Sequence, residues 1–227
     1  MTGLRIMSTL AVKGVLGELL VASPAPALEI DYQPTALLME RITRGARGDI
    51  AILTAAGIDA LIAQGVLDGV TRRDVAVSAV GIAVRAGAAH PDIATVEAVR
   101  ALLLNVPTLC YSRAGASGLH FARVIRQLGI ADEVERKATI IASGFTAEAV
   151  ADGRCEIAIQ QVSELLVVPG IEVVGPLPDP IQETLTFSAA VFAGADGQRQ
   201  AAGALLAEIT RADLAPVYAR HGLTLAR

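Results

Sequence analysis

The sequence predicts an α/β protein built as two Rossmann-like lobes in series, joined by two crossing strands with a ligand cleft between the lobes. Three observations carry this reading. Short apolar runs alternate with segments of helical apolar spacing from residue 4 onward. The alternation starts afresh after a long β-like run, Val75 to Val84. A second such run, Thr184 to Phe192, leads into two C-terminal helical segments that need a sheet to cover. Parallel strands require crossover connections and are covered on both faces, so short apolar strands between amphipathic helices imply a parallel sheet.

Element by element, Leu4 to Met7 reads as a buried strand. Val12, Val15, Leu16, Leu19 and Leu20 then form one apolar helical stripe opposite Lys13 and Glu18. Strand Leu28 to Tyr32, helix Ala36 to Arg44, strand Asp49 to Leu53 and helix Ile58 to Gln64, closed by Gly65, complete the first cycle. The second cycle is helix 95–104, strand 107–111, helix 118–128, strand 138–142, helix 146–151 and strand 156–160. Helices over 198–210 and 212–220 close the chain. With both long strands crossing, the lobes are 1–79 plus 188–227, and 80–187. Small residues at the crossings, Ser78, Ala79, Gly81 and Ser188 to Ala190, suit hinge closure.

Composition narrows the function. Of 227 residues 53% are apolar, which excludes disorder, and 23 acidic against 19 basic side chains leave no clustered positive charge for nucleic acid. No run approaches the roughly 20 apolar residues of a membrane span, so no membrane insertion is expected. A secretory core needs about 7–15 uninterrupted apolar residues, and here the run from Ile6 to Val12 stops at Lys13. The segment Ala-Ser-Pro-Ala-Pro-Ala at 22–27 is therefore not read as a cleavage site, and the expected compartment is the cytoplasm, or the periplasm if the true start lies upstream. Cys110 and Cys155 sit in separate apolar runs and read as buried thiols.

In an open parallel sheet, ligands bind beyond the carboxyl ends of the strands. There the sequence places small hydroxylated segments: Ser8-Thr9, Gln33-Pro34-Thr35, Thr54 to Gly57, Ser112 to Gly118, Ser143 to Thr146, and Gln160 to Ser163. Each stands where a helix begins, so free backbone N–H groups and helix dipoles favour a bound anion. The expected ligand-binding residues are Ser8, Thr9, Thr35, Arg113, Ser117 and Gln160. Arg113 offers a planar fork suited to a carboxylate, and Ser117 is the expected cap of the helix that follows. His120 and Lys13 are the titratable side chains near enough to carry a proton. Gly115-Ala116-Ser117-Gly118 misses the spacing of a nucleophile elbow. The histidines His90, His120 and His221 share no metal-ligand spacing, and no phosphate-loop or dinucleotide glycine pattern is present, so neither metal nor cofactor is expected.

Four stretches carry a family resemblance: Leu4-Arg5-Ile6-Met7-Ser8-Thr9-Leu10, Tyr32-Gln33-Pro34-Thr35-Ala36-Leu37, Arg47-Gly48-Asp49-Ile50-Ala51-Ile52-Leu53 and Gly153-Arg154-Cys155-Glu156-Ile157-Ala158-Ile159-Gln160. In order and spacing they resemble the type 2 periplasmic binding proteins, within them the molybdate-binding-protein-like group. The resemblance implies two α/β lobes closing on a small anion, and an ABC permease as partner for any exported form. Two departures from the molybdate binders stand out: Gln33-Pro34-Thr35-Ala36 replaces a glycine-flanked serine pair, and Gln160-Gln161 replaces a tyrosine-bearing segment. Arg113 to Gly118 with His120 and Phe121 is similar to the aconitate isomerase subgroup. The chain is thus expected either to bind a small carboxylate or oxyanion without reaction, or to act as an isomerase moving an allylic proton in an unsaturated polycarboxylate.

Overall fold

The computed structural model describes residues 3–21, 28–195 and 197–226. The segment 22–27, weighed above as a cleavage site, lies outside the described residues. The chain forms two compact units, Met1–Ser78 with Leu185–Arg227, and Ala79–Thr184. Leu185 and Phe187, placed in the second lobe by the sequence reading, pack in the core of the first unit instead, and Ala79 falls in the second.

The first unit begins with β1 (Leu4–Thr9), a single 3-10 turn and α1 (Lys13–Val21), followed by β2 (Leu28–Gln33), α2 (Thr35–Thr43), β3 (Ile50–Thr54) and α3 (Ala55–Ala63). β1 is the central strand, parallel to β2 from Leu4↔Leu28 to Thr9↔Gln33 and parallel to β3 from Ile6↔Ile50 to Ser8↔Ile52. β3 is buried except at its last residue, which is why it reads as an unbroken apolar run. α3 starts earlier than the periodicity suggests. The Thr54 hydroxyl accepts the N–H of Gly57 and caps the helix, so Ala55 to Gly57 are its first turn.

β4 (Arg73–Arg85) runs on into the second unit, which continues with α4 (Val96–Asn105), β5 (Leu109–Ser112), α5 (Ala116–Gln127), α6 (Ala131–Lys137), β6 (Ala138–Ile141), α7 (Ala147–Ala151), β7 (Ile157–Gln161), α8 (Val162–Leu165) and β8 (Ile171–Pro176). β5 lies parallel to β6 and β7, and β4 lies antiparallel to β7 and β8. Val80, Ile82, Tyr111, Phe121, Val124 and Ile159 belong to its core, with the Tyr111 and Phe121 rings edge to face at 5.0 Å. Gln182 ties the incoming strand down. Its Oε1 accepts from Val80 N at 3.0 Å, and its Nε2 donates to Val80 O at 2.8 Å and Leu177 O at 3.0 Å.

The chain returns through β9 (Thr184–Val191), antiparallel to β3, and ends with α9 (Arg199–Ile209), α10 (Ala215–Arg220) and β10 (Leu223–Leu225), which pairs with the first half of β4. α6, α8, β8 and β10 were not anticipated. α6, Ala-Asp-Glu-Val-Glu-Arg-Lys, buries only Val134 and shows no apolar stripe, and α8 is too short to show a period. Cys110 and Cys155 are free and buried. Among the described residues no helix is long and apolar enough to cross a membrane.

Candidate ligand-binding site

In the first unit the carboxyl ends of β1 and β2 are level, and this register brings two predicted residues together. Thr35 Oγ1 donates to Thr9 Oγ1 at 3.4 Å, while the Ser8 hydroxyl turns to the Thr9 carbonyl at 3.1 Å. Ser8 and Thr9 are buried. Lys13 Nζ lies 5.7 Å from the centre of the Tyr32 ring, within range of a cation–π interaction. Burial pushes the Tyr32 phenol up to about 12, so it remains a neutral hydroxyl at physiological pH.

In the second unit the β5–α5 junction is built on close backbone approach. A Cβ on Gly118 would stand 1.3 Å from the Ser112 carbonyl oxygen, so only glycine fits there. The Ser112 hydroxyl accepts from Ala114 N at 3.2 Å and shapes the turn. The helix cap is Gly115, extended at φ −91° and ψ 156°, and not Ser117, which is buried inside the first turn. Arg113 projects outward: its Nε reaches the Tyr111 hydroxyl at 3.5 Å and its Nη2 stands 3.6 Å from Glu135, with 56% of the side chain exposed. Long, exposed ion pairs of this kind hold a guanidinium weakly, so Arg113 is available to a ligand.

Gln160 is spent internally. Its Oε1 accepts from Thr146 N at 2.8 Å and Thr146 Oγ1 at 3.0 Å, and its Nε2 donates to Gly144 O at 3.2 Å. It braces the β6–α7 loop against β7. His120 is likewise committed, with Nε2 2.8 Å from the Ile181 carbonyl and Nδ1 2.9 Å from Glu183 Oε2. Both partners are acceptors, so the ring donates at Nε2 and faces a carboxylate at Nδ1.

Two residues at this strand end were not among the expected ligand-binding side chains. Gln161, the last residue of β7, is 1% exposed, yet among the described residues neither its Nε2 nor its Oε1 has a hydrogen-bond partner. Glu164, in α8, is buried beside the Gln161 backbone and the Gln160 side chain. Burial pushes its carboxyl up to about 8, against the lowering effect of those two hydrogen bonds. The segment Gln160 to Ser163 pointed to the place, but burial is what singles out Gln161 and Glu164.

Two cavities lie away from these strand ends. One of about 620 Å³ in the first unit is lined by Arg5, Arg41 and Arg47 together with Glu29 and Asp31. Its arginines are occupied: Arg41 pairs with Asp31 at 2.6 Å, Arg5 stands 3.8 Å from Glu29, and Arg47 donates to the Ile42 and Ala46 carbonyls. The other, about 470 Å³ in the second unit, is mostly apolar and includes Val84, Leu102 and Cys155.

Parallel strands ending in hydroxyl and amide groups, on this connectivity, have the type 2 periplasmic-binding-protein fold. The backbone superposes on the periplasmic molybdate-binding protein of Azotobacter vinelandii with a TM-score of 0.77 at 13% identity, covering 99% of this chain and 100% of that one. On a sulfate-binding protein of Mycobacterium tuberculosis H37Rv the TM-score is 0.70 at 15% identity, covering 98% and 86%. The chain belongs to the bacterial extracellular solute-binding protein family, whose profile matches residues 22–224. It is also similar to a protein of Pseudomonas sp named aconitate isomerase, 28% identical over 229 residues that cover 96% of this chain and 87% of that one.

Proposed function

We propose that the chain binds a small carboxylate or oxyanion at the strand ends of the second unit that carry Arg113 and Gln161. One observation supports this reading above the others. The loops at these ends hold hydroxyls, amides and a guanidinium; the Glu164 carboxyl is kept protonated near neutral pH by burial, and the Glu135 carboxylate meets Arg113 only through a long, exposed ion pair. Donors that meet little competing negative charge suit an anion. For an exported form, the partner would be an ABC permease, in keeping with the likeness to a substrate-binding domain of a putative molybdenum ABC transporter from Clostridium difficile, TM-score 0.70 at 16% identity. Calorimetry at pH 7 with citrate, tricarballylate, succinate, sulfate and molybdate tests the proposal. Saturable binding of at least one supports it, and no heat from any of them overturns it.

A second reading, favoured by the likeness to aconitate isomerase, is catalysis of an allylic proton shift in an unsaturated polycarboxylate. The chemistry needs donors that stabilise the developing negative charge, here Arg113 and backbone N–H groups, and a group that moves the proton. His120 would first have to leave one of its two acceptors, and Lys13 stands in the other unit. Proton NMR of cis- and trans-aconitate with the protein in D2O reads this directly: interconversion or solvent exchange supports it, and unchanged spectra reject it.

A further inference from the structure

At the end of β7 the buried Gln161 amide stands without a partner among the described residues. The inference rests on the anion-binding reading and names the chemical class of the ligand. Continuing the β5–β7 register, Leu109↔Ile157 and Cys110↔Ala158, sets Ser112 level with Gln160. Neighbouring strands are about 4.8 Å apart, so Gln161 stands beside the loop that carries Arg113. Gln160, next to it, has every polar atom engaged, whereas Gln161 has none engaged and is shut off from solvent. Buried polar groups are nearly always paired, so this amide calls for a partner.

The requirement is two-sided. Nε2 needs an acceptor, which any anion supplies, but Oε1 needs a donor. Sulfate, molybdate and simple carboxylates are fully deprotonated at neutral pH and present acceptors only. Each would leave Oε1 buried and facing negative charge. A hydroxyl beside a carboxylate supplies both, the carboxylate oxygen accepting from Nε2 and the hydroxyl donating to Oε1. We infer that the ligand is a hydroxycarboxylate, read at Gln161 through its hydroxyl and an adjacent carboxylate oxygen. Arg113 then meets a second carboxylate, which makes a hydroxy-di- or tricarboxylate the fitting class.

The test compares ligands that differ by one hydroxyl, L-malate against succinate and citrate against tricarballylate, by calorimetry on the full chain. The hydroxylated member is expected to bind at least tenfold more tightly in each pair. In Gln161→Leu that ratio should collapse to about one. The ligand-free variant should melt no lower than the parent, because an apolar side chain replaces an unpaired buried amide. Should the leucine variant fail to fold, Gln161→Met, which keeps the length of the side chain, carries the same comparison. A ratio of one in the parent chain, or one that survives the substitution, overturns the inference. Binding of sulfate or molybdate but none of the four organic acids overturns it while leaving the anion-binding reading in place. Silence from every anion overturns both.

Discussion

Replacing Glu164 by Gln perturbs one buried ionisable group, and its effect on stability can be worked through. Glutamine reproduces the protonated carboxyl, an acceptor oxygen beside a donor, but never ionises. The Glu164 carboxyl is raised from its ordinary 4.5 to about 8 because burial penalises the charged form. Between these values the folded chain holds a proton that the unfolded chain has released, so stability falls as pH rises across the window. One pH unit corresponds to about 1.4 kcal/mol, and the full window therefore removes about 5 kcal/mol, of which about 4 kcal/mol is lost between pH 5 and pH 8. At the 2–4 °C per kcal/mol usual for chains of this size, that is about 10 °C in Tm. Thermal unfolding of the parent chain and Glu164→Gln every half pH unit from 5 to 8.5 is the assay. All other groups titrate alike in both proteins, so the difference isolates Glu164. The variant should gain on the parent steadily with pH and level off above 8. Parallel curves, or a variant that loses ground as pH rises, would refute the buried, proton-bearing Glu164.

Arg113→Ala should weaken binding of the preferred anion by about 10- to 150-fold, the equivalent of roughly 1.5–3 kcal/mol for a charge-assisted hydrogen bond, with Tm unchanged because the side chain is largely exposed. Calorimetry reads the affinity, and Arg113→Lys should restore only part of it for want of the planar fork. Gly118→Ala forces the β5–α5 junction apart, since the added methyl meets the Ser112 carbonyl. It should cost about 1–3 kcal/mol or more in urea unfolding and weaken anion binding even with Arg113 present. Gln182→Ala removes three hydrogen bonds to Val80 and Leu177, and accelerated hydrogen exchange at the Val80 N–H, relative to β5, should report it.

The α/β alternation was legible because β3, β5 and β7 are buried almost throughout, and β1 everywhere but at Arg5, and so appear as largely apolar runs between helices. Polarity hid α6, whose seven residues bury one valine, and brevity hid α8. At the site, the strand-to-helix loops were visible from position alone. What lay beyond reach was which side chain in a loop is already engaged. Gln160 and Gln161 are identical in type and adjacent, yet one is fully hydrogen-bonded and the other has no partner among the described residues, a distinction made by Thr146 and Gly144 folding against β7 from elsewhere in the chain. The capping of α5 shows the same limit. Ser117 is the better cap by residue type, but the extended backbone at Gly115 and the close approach at Gly118 put the helix start ahead of it.

The most direct measurement is a crystal structure of the chain grown in citrate, read for where the anion sits. The account predicts citrate density in contact with the Arg113 guanidinium and the Gln161 amide, a carboxylate oxygen on Nε2 and the hydroxyl on Oε1. Citrate seated instead among Arg5, Arg41 and Arg47 in the first unit, with Arg113 and Gln161 untouched, would contradict it.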